Sequence, residues 1–402
     1  MTGPLPRPGI MSSRERVLAA LDHREPDRIP FDLGGTIVTG IHVGARRALR
    51  SILGLPEREP QVIDRIQHLA FMDDDLKERL LVDAAPVLAG APGTETAGGP
   101  IPATLRVRAS EDDAYLYLYD EWGLGWRCPK VGGLYHDVFL SPLAGDISLE
   151  EVDRLAGPDP LDRARLSDMR ARCLRIRNDE GRATCAWGFG AGIFETAGWL
   201  RETEAYFMDL AVDPALAGRI MDRVLEKKLA WYEIALPEFG DLLDVACEGD
   251  DLGGQSTTLV SPEMFRRLIK PRMRDLFAAI RARTEAKVFF HTCGAVRPLI
   301  PDLIEIGVDI LNPIQVSAVG MDTAELKREF GRELVFWGGG VDTQRVLGSA
   351  TPAQVRDEVR RRIDDLAPGG GFVFAATHNL QADVPPENVL AMQEALREHG
   401  RY

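Results

Sequence analysis

Apolar positions recur along this chain in two rhythms. Short apolar runs such as "KVFFH" (287 to 291) and "LVFW" (334 to 337) alternate with longer segments in which apolar residues return every three or four positions. The first rhythm predicts strands buried on both faces, the second predicts amphipathic helices, and their alternation predicts parallel βα units. Strand candidates fall at 28–35, 84–90, 183–192, 241–251, 286–294, 307–315, 333–342 and 371–379, which brings the unit count close to eight. The fold class expected is α/β, a single (β/α)8 TIM barrel.

Helix signals support this reading. A first helix starts at a Ser12 or Ser13 cap and ends before Pro26. A second spans 262–283, where Pro271 is expected to bend it. A third opens with Thr351 as cap and Pro352 in its first turn, and glycines after 368 end it. One stretch breaks the alternation: about 114–143, "AYLYLYDEWGLGWRCPKVGGLYHDVFLSPL", alternates aromatic and polar residues around Gly and Pro, predicting an inserted antiparallel hairpin region. Its aromatics are read first as hairpin packing and second as an apolar wall for a substrate. Residues 1–10, rich in Pro and Gly, are expected to be a disordered tail, with 11–402 forming the barrel.

Composition narrows the function. With 48 Lys and Arg against 62 Asp and Glu, the formal charge is −14, which disfavours a general polyanion-binding surface and argues against nucleic acid. The five cysteines are odd in number and lack CxxC spacing, so neither a disulfide framework nor a zinc ribbon is expected. No apolar stretch approaches the roughly 20 residues a membrane span needs. The N-terminus lacks the apolar core of a signal peptide, so a cytoplasmic location is expected.

A closed barrel gathers its chemistry at the C-terminal ends of the strands. His291 and Cys293, two apart on an extended segment, are expected to point the same way, and His378 lies at the end of the last strand candidate. Three N/S donors with an open fourth position suit a catalytic zinc. The same residues also suit a buried thiol and a hydrogen-bonded histidine. "CEGDDLGGQ" (247–255) supplies Glu248, Asp250 and Asp251 at another strand end, and "FDLGG" and "GGGVDTQ" add Asp32 and Asp342. Solvated loop acids are the alternative there. Neither a G-x-G-x-x-G turn nor a P-loop occurs, which disfavours nicotinamide and nucleotide chemistry.

Four segments in order, 12–35, 289–315 ("FFHTCGAVRPLIPDLIEIGVDILNPIQ"), 334–344 ("LVFWGGGVDTQ") and 377–392 ("THNLQADVPPENVLAM"), resemble the uroporphyrinogen decarboxylase superfamily, and within it the corrinoid-dependent zinc methyltransferases. The resemblance implies a TIM barrel with its site at the mouth. It implies Zn2+ held by His291, Cys293 and His378, the last standing where those enzymes carry a second Cys, with Glu248 or Asp250 as a displaceable acidic ligand. It also implies methyl transfer between a small methylated substrate, such as a methoxylated aromatic or a thiol, and a corrinoid (cobalamin) on a partner protein. No D-x-H-x-x-G corrinoid motif occurs in the chain itself. The porphyrinogen-decarboxylating branch carries an "RQAGR" motif, and here the corresponding stretch reads "FDLGGTIVTGIHVGARRAL", so Arg46 and Arg47 do not match it. Two further readings remain at this point. One is a metal-free decarboxylase of a cyclic or tetrapyrrole acid, with Asp32, Asp250 or His378 moving the proton; the other is a non-catalytic corrinoid- or tetrapyrrole-binding protein. Either is compatible with a homodimer.

Overall fold

The computed structural model describes residues 11–90 and 109–402; the tail expected at 1–10 lies outside the described residues. Seven strands form one parallel sheet: β1 (Ala84–Val87), β2 (Ala183–Trp187), β3 (Val245–Gly249), β4 (Lys287–His291), β5 (Ile310–Asn312), β6 (Val335–Trp337) and β7 (Phe372–Val373). Each pairs with the next in chain order. Residues 29–32 fill the gap between the two sheet edges. Phe31 bridges Phe374, Asp32 N donates to Phe374 O (2.8 Å), and on the other side Asp83 N donates to Phe31 O (2.7 Å). The ring is closed by this short eighth segment, at the place where "RIPFDLGG" was expected to be a strand.

Alternation along the strands decides what fills the ring. Cys185, Cys247, Phe289, Ile310, Val335 and Trp337 point inward into one buried cluster, while Ala246, Val288, Phe290, Leu311 and Phe336 face the surrounding helices. Trp337 and Phe289 meet edge-on at 5.6 Å, and the small side chains of Ala84, Ala183 and Cys247 leave room for their rings. Helix α1 (Ser13–Leu21) adds Val17, Ala20 and Leu21 to this cluster and closes the end away from the mouth. Ser12 caps α1 in a reciprocal capping box with Glu15.

On the outer layer, α2 (Ile193–Arg201) follows β2 and α3 (Pro214–Phe239) packs behind β3. The helix expected over 262–283 is interrupted: a π turn, Phe265–Ile269, leads into α4 (Lys270–Arg281). Pro271 explains the break, because its nitrogen cannot donate to the carbonyl four residues back and its ring would crowd that carbonyl. α5 (Pro352–Leu366) starts as expected, with Thr351 and Gln354 forming a capping box and Pro352 in the first turn.

The aromatic-rich stretch forms a separate four-stranded antiparallel sheet, Ser110–Glu111, Tyr115–Tyr119, Gly125–Pro129 and Asp137–Leu140. Tyr117 and Tyr119 pack on Phe139, and Trp126 meets Trp199 of α2 edge-on at 5.0 Å. These rings hold the hairpins together and seat them on the barrel. Among the described residues no helix is long and apolar enough to cross a membrane.

Candidate metal centre at the barrel mouth

β4 ends at His291, an inward position two residues beyond Phe289. The chain then leaves the sheet, yet Cys293 stays on the same side, its Sγ 3.5 Å from His291 Nε2. His378 comes from the loop five residues past β7, rather than from the strand end. That loop is pinned on both sides of His378: Thr377 N donates to Val341 O, and Asn379 Nδ2 donates to Ile37 O and Gln67 Oε1. One ligand atom from each of His291, Cys293 and His378 lies within 4.8 Å of the other two.

Asn312, at the end of β5 and in register with His291, sets the tautomer. Its Nδ2 donates to Trp337 O (2.6 Å), so its Oδ1 must face His291 and accept from Nδ1–H, also at 2.6 Å. The Nε2 lone pair of His291 is thereby left bare towards Cys293. Burial keeps both rings neutral: it lowers His291, and with the His291 ring beside it His378 falls to about 4. Burial, reinforced by Asp251 and Glu195, pushes the Cys293 thiol well above its ordinary range. The donors fit zinc. A tetrahedral ion bound by one thiolate and one imidazole separates S from N by roughly 3.5 Å, and Asn312 stands where it would be the outer partner that a metal-binding histidine usually has.

The carboxylates are sorted by strand alternation. Glu248 does not join the cluster, contrary to expectation. Its inward neighbours are Cys247 and Gly249, so Glu248 points outward at α3, where Lys228 Nζ (2.8 Å) and Tyr232 OH (2.7 Å) donate to its two oxygens. Asp250 likewise turns away and accepts from the backbone N–H of Phe194 and Glu195 (2.7 Å each), fixing the start of α2. Burial pushes its carboxyl up to about 7 in spite of those donors. The acid beside the cluster is Asp251: Oδ1 accepts from Cys293 N (2.8 Å) and lies 3.8 Å from His291 Nε2. Asp251 is 39% exposed.

Asp32 lies inside the ring, apart from the cluster's hydrogen bonds. Trp337 Nε1 and Thr39 Oγ1 donate to Oδ2 (2.8 Å each), Gly35 N donates to Oδ1 (2.7 Å), and burial still raises the carboxyl to about 6. Asp342 caps the turn Thr343–Leu347. Arg46 is spent on Asp73 and Arg47 pairs with Glu59. Glu195 was not anticipated. It sits in the first turn of α2, and burial together with Asp251 and Asp250 pushes its carboxyl well above the usual carboxylate range.

Comparison with known proteins follows the same line. The profile described as "Uroporphyrinogen decarboxylase (URO-D)" matches residues 143–399. Uroporphyrinogen decarboxylase of Alkalilimnicola ehrlichii is 24% identical over 291 residues, covering 70% of this chain and 74% of that protein. That of Acidiphilium cryptum is 26% identical over 265 residues, covering 62% and 68%. Among solved structures, a methyltransferase from Methanosarcina mazei shares the fold with a TM-score of 0.61 at 18% identity, covering 96% of this chain and 99% of that one. The profile match takes in β2 to β7 with His291, Cys293 and His378, well over half of the sequence, and the chain belongs to the uroporphyrinogen decarboxylase family of enzymes.

Proposed function

We propose that this enzyme moves a methyl group between a small methylated substrate and a corrinoid carried by a partner protein, with Zn2+ held by His291, Cys293 and His378. The observation that carries this reading is the convergence of those three donors within 4.8 Å at the mouth, with His291 oriented by Asn312. The resemblance of "FFHTCG" and "THNLQADVPPEN" to the zinc methyltransferases points the same way, as does the fold shared with a methyltransferase.

Bound zinc supplies a Lewis acid that lowers the basicity of the oxygen or sulfur from which the methyl group departs. The chain's own residues do the rest. Asp251, part-exposed beside the cluster, is placed to exchange a proton with a group entering from the mouth. Glu195, its carboxyl pushed up by burial and by Asp251 and Asp250, belongs to the acidic surroundings that raise the Cys293 thiol. Asn312 and Asp250 hold His291 and the start of α2 in place.

The test is zinc content beside methyl transfer to free cob(I)alamin from methoxylated aromatics and methyl thioethers. Zinc bound by the wild type, with transfer abolished in Cys293→Ala, supports the reading. A fully active protein that holds no zinc at these residues overturns it.

Metal-free decarboxylation of a cyclic acid is a second reading, favoured by the inward Asp32 with its carboxyl near 6 and by the activity named for the curated relatives. Against it, Arg46 and Arg47 are tied to Asp73 and Glu59 and are not offered to a substrate carboxylate. Carbon dioxide release from a porphyrinogen by chelator-treated enzyme would favour it.

A further inference from the structure

A second group of two histidines and one cysteine lies where the inserted hairpins meet the barrel. His68 comes from the barrel side, just before the short strand Leu69–Ala70. Cys128 lies on the hairpin strand Gly125–Pro129, and His136 immediately precedes the strand Asp137–Leu140. One ligand atom from each lies within 4.8 Å of the other two, as at the mouth. Cys128 and His136 are buried and His68 is half-buried.

Four observations show that the group is built and aimed. His136 approaches Ile66 O through Nδ1 (3.2 Å), and its backbone N donates to the same oxygen (2.8 Å). Nδ1 therefore carries the proton, and Nε2 is a bare acceptor. That Nε2 is buried, on a residue only 4% exposed, with no hydrogen-bond partner among the described residues. Buried polar atoms are seldom left in this state, so the site lacks a partner of its own. The His68 loop is held from beneath by buried Asp64, whose Oδ1 accepts from Ile66 N (2.8 Å) and Gln67 N (2.9 Å). The hairpin closes over the sulfur so tightly that a Cβ at Gly133 would stand 2.5 Å from Cys128 Sγ.

We propose that His68, Cys128 and His136 bind a second zinc ion, which staples the inserted sheet to the barrel. Two imidazoles and a thiolate select zinc over oxygen-seeking cations such as magnesium or calcium, and the half-buried side of His68 leaves the fourth position to solvent. Binding replaces the Cys128 S–H by a bond to the metal, and the proton goes to solvent. The staple adjoins the mouth: Gln67, next to His68, accepts from Asn379, next to His378.

The test uses Cys293→Ala, which removes the mouth sulfur, alone and combined with Cys128→Ser or His68→Ala. After equilibration with zinc and removal of the free ion, Cys293→Ala should retain about one zinc per chain and both double variants none. Should a double variant misfold, cobalt(II) titration of Cys293→Ala decides: a thiolate-to-cobalt charge-transfer band requires Cys128, since the other remaining cysteines, 173, 185 and 247, lie outside both groups. No retained zinc and no such band in Cys293→Ala overturns the staple, whatever the wild type binds at the mouth.

Discussion

The mouth and the hairpin junction present the same three donors, two imidazoles and a thiol, on different supports. At the mouth His291 ends a barrel strand, Cys293 follows just beyond it and His378 comes from a pinned loop, and the side chain of Asn312, itself held by Trp337, orients His291. At the junction they are split between a barrel loop and an inserted sheet, and a main-chain carbonyl, Ile66 O, orients His136. A part-exposed acid, Asp251, stands 3.8 Å from the mouth histidine. Donor identity alone does not separate the reacting site proposed at the mouth from the structural one proposed at the junction. What differs between them is the support, the access from the mouth and the carboxylate beside the donors.

The largest effect that sharpens this contrast is expected from Cys293→Ala, which should reduce methyl transfer to background while the junction keeps its metal; metal analysis and cob(I)alamin methylation read the two separately. Lys228→Met comes next. It leaves Glu248 buried without its cation and should cost about 3–5 kcal/mol in chemical denaturation, without loss of mouth zinc. Loss of zinc with stability unchanged would return Glu248 to the site.

Asp32 gives a pH-dependent effect. Its carboxyl is raised from 3.8 to about 6, so the folded chain holds this proton more tightly than the unfolded one. Stability from this group is therefore lost as pH rises from about 4 to about 6, by at most about 3 kcal/mol, and stays level above. The stability difference between wild type and Asp32→Asn should shrink across that window in denaturation curves, and a flat difference would contradict the assignment. The smallest effect is expected from Asn312→Ala, about 10- to 100-fold in mouth zinc affinity, with the junction unaffected.

Much of this was legible in the sequence. Two-residue spacing brought His291 and Cys293 to one side, and the βα rhythm placed them at a strand end. The same period-two rule applied at 247–249 sends Glu248 outward once Cys247 is taken as core, but the sequence does not say which phase is inward. The glycines of "WGFGAG" had a local purpose that composition hides. A Cβ at Gly188 would stand 2.1 Å from Glu248 Oε1, and one at Gly192 would stand 2.2 Å from Asp250. The junction group was invisible because His68 and Cys128 meet only through docking of the hairpin sheet, with no local spacing to announce it. Asn312 was equally hidden, since its role depends on sheet register.

The most direct test of the central claim is the zinc content of Cys128→Ser, in which the mouth is the one complete His/Cys/His group left among the described residues, beside the same protein also carrying His378→Ala. About one zinc per chain in the first and none in the second is the predicted result. No zinc in Cys128→Ser, even after incubation with the metal, would contradict a zinc site at the mouth and the methyl-transfer chemistry built on it.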